Sequence, residues 1–288
     1  MGSLLFIPWF RAEAIEIPLP FELPGLGETL PIQPFGILVA IGVMVGSRLA
    51  EEFAKRNGMH PALIADLVTH VVILGFLSGY LLNAVFYHPE YIAELFDGSR
   101  SGCRYFGLSS FGGFFGAILG LFVWKWRRGL PALPFADAIV WALPFGWLFG
   151  RLGCFVVHDH PGVVTDFILA VENYEYGMPP FQPRHDLGFY EVLWSLGTIV
   201  LLLWLARKPR PRGFYVGLVP LLYTPVRFGL DFLRASVEEG GDARYLGLTP
   251  GHYASVILFL VGAAVMTRVL RGPQVEVPES ARWEEPAK

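Results

Sequence analysis

Charge is scarce in this sequence. Asp, Glu, Lys and Arg make up 16% of its 288 residues, whereas 53% are hydrophobic. A soluble core of this size could not hide so much apolar surface, and the mean hydropathy of +0.48 agrees. The composition therefore excludes an ordinary soluble domain and predicts a protein that lives in a lipid bilayer.

Several other signals are missing. The apolar runs lack the ten-residue alternation of a membrane β-barrel, so α-helices are the expected spanning elements. The N-terminus lacks the basic start, sustained apolar core and cleavage site of a signal peptide. No basic cluster is interleaved with aromatic residues, and the formal net charge is only -3, so nucleic acid is not expected as a partner.

Long apolar runs are what the sequence does have. Seven of them approach the roughly 20 residues that a helix needs to cross the hydrocarbon, at 35–50, 63–87, 108–125, 136–157, 189–206, 213–230 and 251–270. Lys and Arg collect in the loops on one side, which is expected to be cytoplasmic. The sequence therefore predicts an all-α membrane protein with about seven transmembrane helices, its N-terminus outside and its C-terminus inside.

The chain is expected to divide into three parts. Residues 1–34, rich in proline and aromatics, are expected to lie as an arm along the outer interface. Residues 35–272 form one membrane domain, whose longest loop, 158–188, is expected to fold as a small outer cap and is long enough to be functional. Residues 273–288 are expected to be a disordered cytoplasmic tail.

Ionisable side chains enter the apolar runs near their outer ends. Each costs about 2.5 to 3.5 kcal/mol in a membrane helix, so each indicates function. The first is Arg151, in the stretch GRLGCFVVHDH. In the second place the spacings of four, four and three put four residues on one helical face: Tyr223, Arg227, Asp231 and Arg234. The third place is RHDLGFYE, at residues 184–191.

Arginines in excess of carboxylates suit an anionic ligand. The helical face has two arginines and one carboxylate, and Arg151 lies at a similar depth. A guanidinium group binds phosphate through two parallel hydrogen bonds, and a phospholipid headgroup is the nearest anion. The alternative is that Arg227 and Asp231 simply neutralise each other four residues apart.

Small residues and the two cysteines leave further alternatives open. The stretch SSFGGFFGAILG carries a glycine face, Gly112, Gly113, Gly116 and Gly120, which admits either another helix or a lipid chain. The cysteines, Cys103 and Cys154, both fall on or near the outer side, where a disulfide is permitted. They are otherwise two unpaired, partly buried thiols.

These segments, in this order, resemble the prolipoprotein diacylglyceryl transferase family of the bacterial inner membrane. The family signature G-R-x-G-N-F-x-N-x-E is matched by GRLGCFVVHD at Gly150, Arg151, Gly153 and Phe155. QPFGILVAIGVMVGSRLA, SSFGGFFGAILG, RHDLGFYE, RKPRPRG and YTPVRFGLDFLR resemble further family segments. The resemblance covers roughly residues 33–270 and implies a multi-pass protein with its active face toward the periplasm.

The resemblance also implies an activity. The family transfers the diacylglyceryl group of phosphatidylglycerol to the thiol of a lipobox cysteine in a prolipoprotein and releases glycerol phosphate. Arg151 and Arg227 would then hold the phosphate and stabilise its charge as it leaves. The implied substrate-binding residues are Tyr223, Asp231, Arg234, Gly112, Gly113, His185 and Tyr190. Neither a cofactor nor a metal is implied.

The sequence departs from the family where a base is needed. The family's histidine before Gly-Gly is Phe111 here, its signature glutamate is Asp159, and its other departures are Phe35, Cys154 and Val157. A base must assist because the thiolate is the nucleophile. Histidine has a suitable pKa, so we predict that the base has moved to His158 or His160, beside Asp159. The alternative is an inactive lipid-binding or transport relative.

A metal-dependent lipid-modifying enzyme is the other alternative. Imidazole and carboxylate ligands that suit zinc or non-haem iron are offered by five residues: His158, Asp159, His160, His185 and Asp186. Adjacent His-Asp-His is not the spacing by which one helix chelates a metal, however. The stretch HDHPG is also typical of a polar turn at the end of a span.

Overall fold

The computed structural model describes residues 7–23, 27–87, 108–239 and 241–284. Within these ranges the chain is mostly helical, and short strands in the N-terminal arm and in the cap depart from the predicted all-α fold. The helices are α1 (Pro34–Arg56), α2 (Pro61–Tyr87), α3 (Ser110–Arg128), α4 (Ala132–Val157), α5 (Leu187–Leu205), α6 (Phe214–Phe232) and α7 (Pro250–Arg271). The strands are β1 (Ile15–Leu23), β2 (Gly27–Ile32), β3 (Pro161–Val164), β4 (Val171–Tyr174) and β5 (Gln182–Asp186).

Each of the seven apolar runs overlaps one helix. Among the described residues, four helices are long and apolar enough to cross a membrane, namely α2 over Pro61–Val85 and the whole of α4, α5 and α7. Local chemistry sets several helix ends. The Ser109 hydroxyl accepts the Gly112 N–H at the start of α3, and Gly129 ends α3 with a left-handed φ of 65°.

The helices pack in pairs through small residues. α2 packs along α3, α1 along α4, and α6 along α7. A Cβ added at Gly112 would lie 2.6 Å from the Ser78 carbonyl oxygen, and one at Gly120 2.7 Å from the His70 carbonyl oxygen, both on α2. Gly112, predicted to bind substrate, is therefore explained by helix packing. A Cβ added at Gly113 would have nothing within 4 Å, so this position is not fixed by packing in the same way.

A cluster of buried apolar residues sits at one end of the bundle, which we call the basic end. Its buried members include Leu67, Trp124, Phe135 and Tyr215, contributed by the ends of four helices. The basic side chains at the ends of α1, α3 and α7 surround it: Lys55, Arg56, Lys125, Arg127, Arg128, Arg268 and Arg271. Apolar burial therefore holds this half of the molecule together.

Residues 158–188 form a small three-stranded sheet at the opposite end. Its strand order is β3-β5-β4, with antiparallel pairing. The Glu172 N–H donates to the Ile7 carbonyl at 2.8 Å, and the Val163 N–H donates to the Leu233 carbonyl at 2.8 Å. The N-terminal arm and the chain after α6 thus cover the two outer strands of the sheet.

The tail does not behave as predicted. Val277 is 1% exposed and Ala281 0%, both within the apolar cluster of the basic end. The Ala281 carbonyl accepts the His60 N–H at 3.0 Å, so the tail closes over the turn between α1 and α2. The prediction of disorder is therefore wrong for residues 273–284, because two apolar side chains anchor a charged segment. Residues 285–288 lie outside the described ranges.

Candidate active site

A single carboxylate joins three helices at the end of the bundle opposite the basic end. Glu191, near the start of α5, is 0% exposed. Arg151 of α4 places its Nε 2.9 Å from Glu191 Oε2. Arg227 of α6 places its Nη1 3.0 Å from Glu191 Oε1. The two arginines singled out in the sequence therefore converge on the same side chain.

Aromatic residues fix this arrangement. The Tyr223 hydroxyl donates to Glu191 Oε2 at 2.9 Å, and the Trp147 indole donates to the same oxygen at 3.3 Å. The Arg151 guanidinium also lies over the Trp147 ring, 4.6 Å from its centroid. A cation over an indole face is stabilised by the ring quadrupole. Trp147 therefore orients both members of the Arg151–Glu191 pair.

Asp231 forms a second layer behind Arg227. Its Oδ1 lies 2.9 Å from Arg227 Nη2 and 2.8 Å from Arg234 Nε. Arg234 follows the end of α6 and lies 3.1 Å from Asp242 Oδ2. The predicted pair four residues apart is thus present, and it forms part of a longer chain of ionic contacts.

The expected excess of arginine is absent from the buried centre. Arg151 and Arg227 are 5% and 4% exposed, and they face two fully buried carboxylates, Glu191 and Asp231. Arg234, the third arginine of the prediction, is offset by Asp242, so charges of the two signs cancel, as burial in a low-dielectric region requires. The prediction of unbalanced guanidinium groups is therefore wrong, because the sequence gives no sign that Glu191 folds back onto both arginines.

His160 provides a second polar contact beside Arg151. Arg151 Nη1 lies 3.3 Å from His160 Nε2 and 3.8 Å from the Cys154 sulfur. His160 Nδ1 contacts the Asp159 carboxylate on its other side. Nδ1–H donates to Asp159, and Nε2 accepts from Arg151 when the ring is neutral and carries a second proton when the ring is charged. Cys103 lies outside the described residues, and so does the choice between a disulfide with Cys154 and two unpaired thiols.

The charges around His160 and Asp159 favour the protonated form of His160. Burial alone lowers the pKa of His160, but Cys154 and the Asp159 carboxylate outweigh it and raise the pKa to about 9. Burial alone raises the pKa of Asp159, but the His160 imidazolium lowers it below its usual range. The His160 side chain is 21% exposed and that of Asp159 43%, so the pair is open to an incoming group.

His158 has a different environment. It ends α4 in a left-handed conformation with a φ of 52°, and its side chain is 1% exposed. Its Nδ1 lies 2.6 Å from Asp186 Oδ2, and its ring stacks on Trp9 with centroids 4.5 Å apart. The structure does not support the prediction of His158 as a base, because its ring is closed off from an incoming thiol.

The remaining predicted residues lie at the start of α5. His185 Nδ1 is 2.6 Å from the Tyr190 hydroxyl, and the Phe167 ring lies 5.9 Å from the His185 ring. Burial lowers the pKa of His185. No described contact joins His185 or Tyr190 to Glu191 or the arginines. They form a separate polar and aromatic group beside the cap.

The metal ligands of the alternative do not form one set. They form two pairs, His158 with Asp186 and His160 with Asp159, while His185 faces Tyr190. In the described part of the chain, the group of three ligand residues whose atoms all lie within 4.8 Å of one another is Cys154, Asp159 and His160. The Arg151 guanidinium contacts two of these three side chains, which places a fixed positive charge against any bound cation.

Glu191 is the central residue that sequence reasoning left out of the predicted site. It was visible as the last residue of RHDLGFYE, an ionisable group in the first turns of an apolar run. Its two arginine partners lie 40 positions before it and 36 after it. Only the packing of α4, α5 and α6 brings the three together.

The fold and the site define a helical membrane protein with a buried arginine and carboxylate network. The family described as prolipoprotein diacylglyceryl transferase matches residues 24–268. Because that match spans most of the sequence, this chain belongs to the prolipoprotein diacylglyceryl transferase family, whose members are membrane enzymes.

Individual relatives support the same family, and the three described next are each named phosphatidylglycerol-prolipoprotein diacylglyceryl transferase. The relative from Chromohalobacter salexigens is 29% identical over 247 residues, which cover 83% of this chain and 88% of that protein. The relative from Janthinobacterium sp. (strain Marseille) is 30% identical and covers 76% and 82%. The relative from Nitratidesulfovibrio vulgaris is 29% identical and covers 81% and 88%.

Proposed function

We propose that this protein transfers the diacylglyceryl group of phosphatidylglycerol to the cysteine thiol of a prolipoprotein and releases glycerol phosphate. The observation that carries the proposal is the convergence of Arg151 and Arg227 on Glu191 in a chain of this family. The reaction forms a carbon–sulfur bond and breaks the bond between the glyceryl carbon and a phosphate oxygen. The electron pair of the broken bond leaves with the phosphate.

The arginines have a direct role in that step. Each guanidinium carries five N–H donors, so an arginine that binds Glu191 retains donors for a phosphate oxygen. Charge grows on the phosphate as the bond breaks, and fixed cations in a dry site stabilise it strongly. Glu191 and Asp231 hold both guanidinium groups in place before the lipid arrives.

His160 is the group we propose for accepting the thiol proton. Asp159 orients its Nδ1, which leaves Nε2 as the proton acceptor beside Arg151. An imidazole of pKa about 9 is basic enough to take a proton from a cysteine thiol, whose ordinary pKa is about 8.5. The proton therefore moves from the thiol sulfur to His160 Nε2 as the carbon–sulfur bond forms.

We also propose the membrane arrangement. Seven helices would span a bacterial inner membrane, with residues 1–34 as an outer interfacial arm and residues 35–272 as the membrane domain. The basic side chains at the ends of α1, α3 and α7 support a cytoplasmic basic end. The site lies at the opposite ends of α4, α5 and α6, which would face the periplasm.

The test is a reconstituted transfer reaction. Purified protein in vesicles containing phosphatidylglycerol is mixed with a lipobox peptide, with and without a chelator, and both the lipidated peptide and released glycerol phosphate are measured. We expect equal amounts of the two products, unaffected by chelator, and none in vesicles of phosphatidylethanolamine alone. Binding of lipid without either product would show an inactive relative, and loss of product with chelator would show metal-dependent chemistry.

A further inference from the structure

The first turn of α7 closes onto the ionic network from behind. Thr249 precedes α7 and is 1% exposed, and its hydroxyl donates to Asp231 Oδ2 at 2.8 Å. Gly251 lies against the same carboxylate, and a Cβ added there would overlap it. The start of α7 is therefore shaped around Asp231.

The hydrogen bonds around Thr249 fix the direction of its hydroxyl. The His252 N–H donates to the Thr249 hydroxyl, and His252 Nδ1 accepts the Thr249 N–H at 3.1 Å. With that ring nitrogen already accepting, the single hydroxyl proton of Thr249 goes to Asp231. This reciprocal pairing is a capping box, which locks the first turn of a helix.

His252 also anchors α7 to α6. It is 0% exposed, and its ring meets the Phe228 and Phe232 rings edge to face, with centroids 4.7 and 4.3 Å away. Both phenylalanines flank Asp231 on α6. The first turn of α7 and the last turns of α6 therefore form one rigid unit around the carboxylate.

Asp231 connects the first turn of α7 to Arg227. Its Oδ2 is held by Thr249, while its Oδ1 lies 2.9 Å from Arg227 Nη2. Arg227 in turn reaches Glu191 and, through it, Arg151. A hydrogen bond to the far oxygen of Asp231 restrains rotation of the carboxylate and so sets the angle at which Arg227 enters the site.

We propose that Thr249, with Gly251 and His252 behind it, is a positioning element for Arg227 that acts through Asp231. This inference rests on the proposed transfer reaction, since it assigns these residues an effect on the rate of that reaction. None of the three touches the reacting atoms, so their effect is on geometry. The transition state, in which charge grows on the phosphate, is more sensitive to the Arg227 angle than ground-state lipid binding is.

The decisive variant is Thr249→Val, which keeps the shape of the side chain and removes the hydroxyl. We expect kcat to fall about tenfold with a KM for phosphatidylglycerol within about twofold of wild type. Thr249→Ser restores a hydroxyl and should recover most of kcat. The matched control is Thr267→Val on the same helix, whose exposed hydroxyl bonds only to the Ala263 carbonyl and should have no effect.

A double-mutant cycle separates positioning from general support of the fold. In an Asp231→Asn background the carboxylate is already altered, so adding Thr249→Val should cost little further rate. The shift of the thermal midpoint in the same four proteins should be non-additive as well. Wild-type kcat in Thr249→Val, no recovery in Thr249→Ser, or additive losses in the double variant would each overturn the inference. An inactive wild-type protein would instead overturn the proposed function, and the catalytic role of the positioning element with it.

Discussion

The two ends of this helical bundle are held together by different interactions, apolar packing at one and ion pairs at the other. At the basic end, apolar side chains such as Leu67, Trp124 and Phe135 are fully buried against one another. At the other end, Arg151, Glu191 and Arg227 are just as buried but are held by ion pairs. Apolar contacts require no desolvation of charge and tolerate replacement by similar apolar side chains. Buried ion pairs require charged groups to lose their water, which costs free energy.

That difference separates stability from chemistry. A buried ion pair contributes little net stability, and a well-packed apolar replacement often does as well. The network around Glu191 is therefore better explained by the need for charge near a phosphate than by stability of the fold. Substitutions in the two regions should then affect different measurements, and five variants test this from the largest effect on transfer to the smallest.

Removing either site arginine should have the largest effect on transfer. Arg151→Ala and Arg227→Ala each lose charge-assisted contacts to the phosphate, and we expect transfer to fall by about a hundredfold or more. Glycerol phosphate release is the measurement, normalised to protein in the membrane. The matched control is Arg128→Ala, since that arginine pairs with Asp66 at the basic end. A wild-type rate in either site variant would remove the phosphate role.

Neutralising Glu191 should have the next largest effect. Glu191→Gln keeps the shape but leaves Arg151 and Arg227 without their shared charge, and we expect transfer to fall by roughly ten- to a hundredfold. The free energy of unfolding should also drop by about 3 kcal/mol, because a broken buried pair leaves uncompensated charge. Thermal or denaturant unfolding measures this. The control is Glu52→Gln, which breaks an exposed ion pair with Arg56 at the basic end and should change neither quantity.

His160→Gln should change the pH profile and slow transfer by about tenfold. The base speeds transfer where the acceptor thiol, whose pKa is about 8.5, still carries its proton, and it has no proton to remove once the thiol is ionised. The loss of rate in His160→Gln should therefore be largest well below pH 8.5 and should shrink toward nothing above about pH 9. His185→Gln is the control, and a loss in His160→Gln that is the same at every pH would exclude His160 as the base.

The same pKa shift carries a stability effect of known sign. His160 has a folded pKa raised from 6.5 to about 9, so the folded state holds this proton more tightly. Its contribution to stability is complete below about pH 6.5 and is lost as pH rises through about 9. The free energy of unfolding should therefore differ less between pH 6 and pH 10 in His160→Gln than in the wild type.

Shortening a buried apolar side chain at the basic end should have the smallest effect on transfer. Leu67 is 0% exposed in the apolar cluster, so Leu67→Ala should lower the free energy of unfolding by about 2 to 5 kcal/mol. Because no site residue contacts this cluster in the described structure, kcat per folded molecule should stay within about twofold of wild type. A large loss of kcat at unchanged folded fraction would show that the two ends are coupled.

Sequence reasoning succeeded where one local pattern decided the outcome. Apolar length placed the helices, and the spacing of Tyr223, Arg227 and Asp231 placed them on one buried face. Arg234, predicted to share that face, lies past the end of α6. It failed where tertiary packing decided. His158 and His160 are two positions apart in a polar stretch, and the left-handed turn at His158 sends one ring inward and leaves the other beside Arg151.

Two further outcomes needed the structure for the same reason. Gly112 and Gly113 are neighbours, and only the position of α2 makes the first a packing residue while leaving space at the second. Thr249 stands just before the last apolar run as an ordinary capping residue. Its contact with Asp231 depends on how α7 lies along α6, which no spacing in the sequence records.

The central claim is that Arg151 and Arg227 act together on one phosphate. Glycerol phosphate release in phosphatidylglycerol vesicles should be compared for Arg151→Ala, Arg227→Ala and the double variant, at equal amounts of folded protein. If the two form one site, each single change disables it, and the double variant should be little worse than either single one. Losses that multiply in the double variant, or a single variant with full activity, would contradict the account.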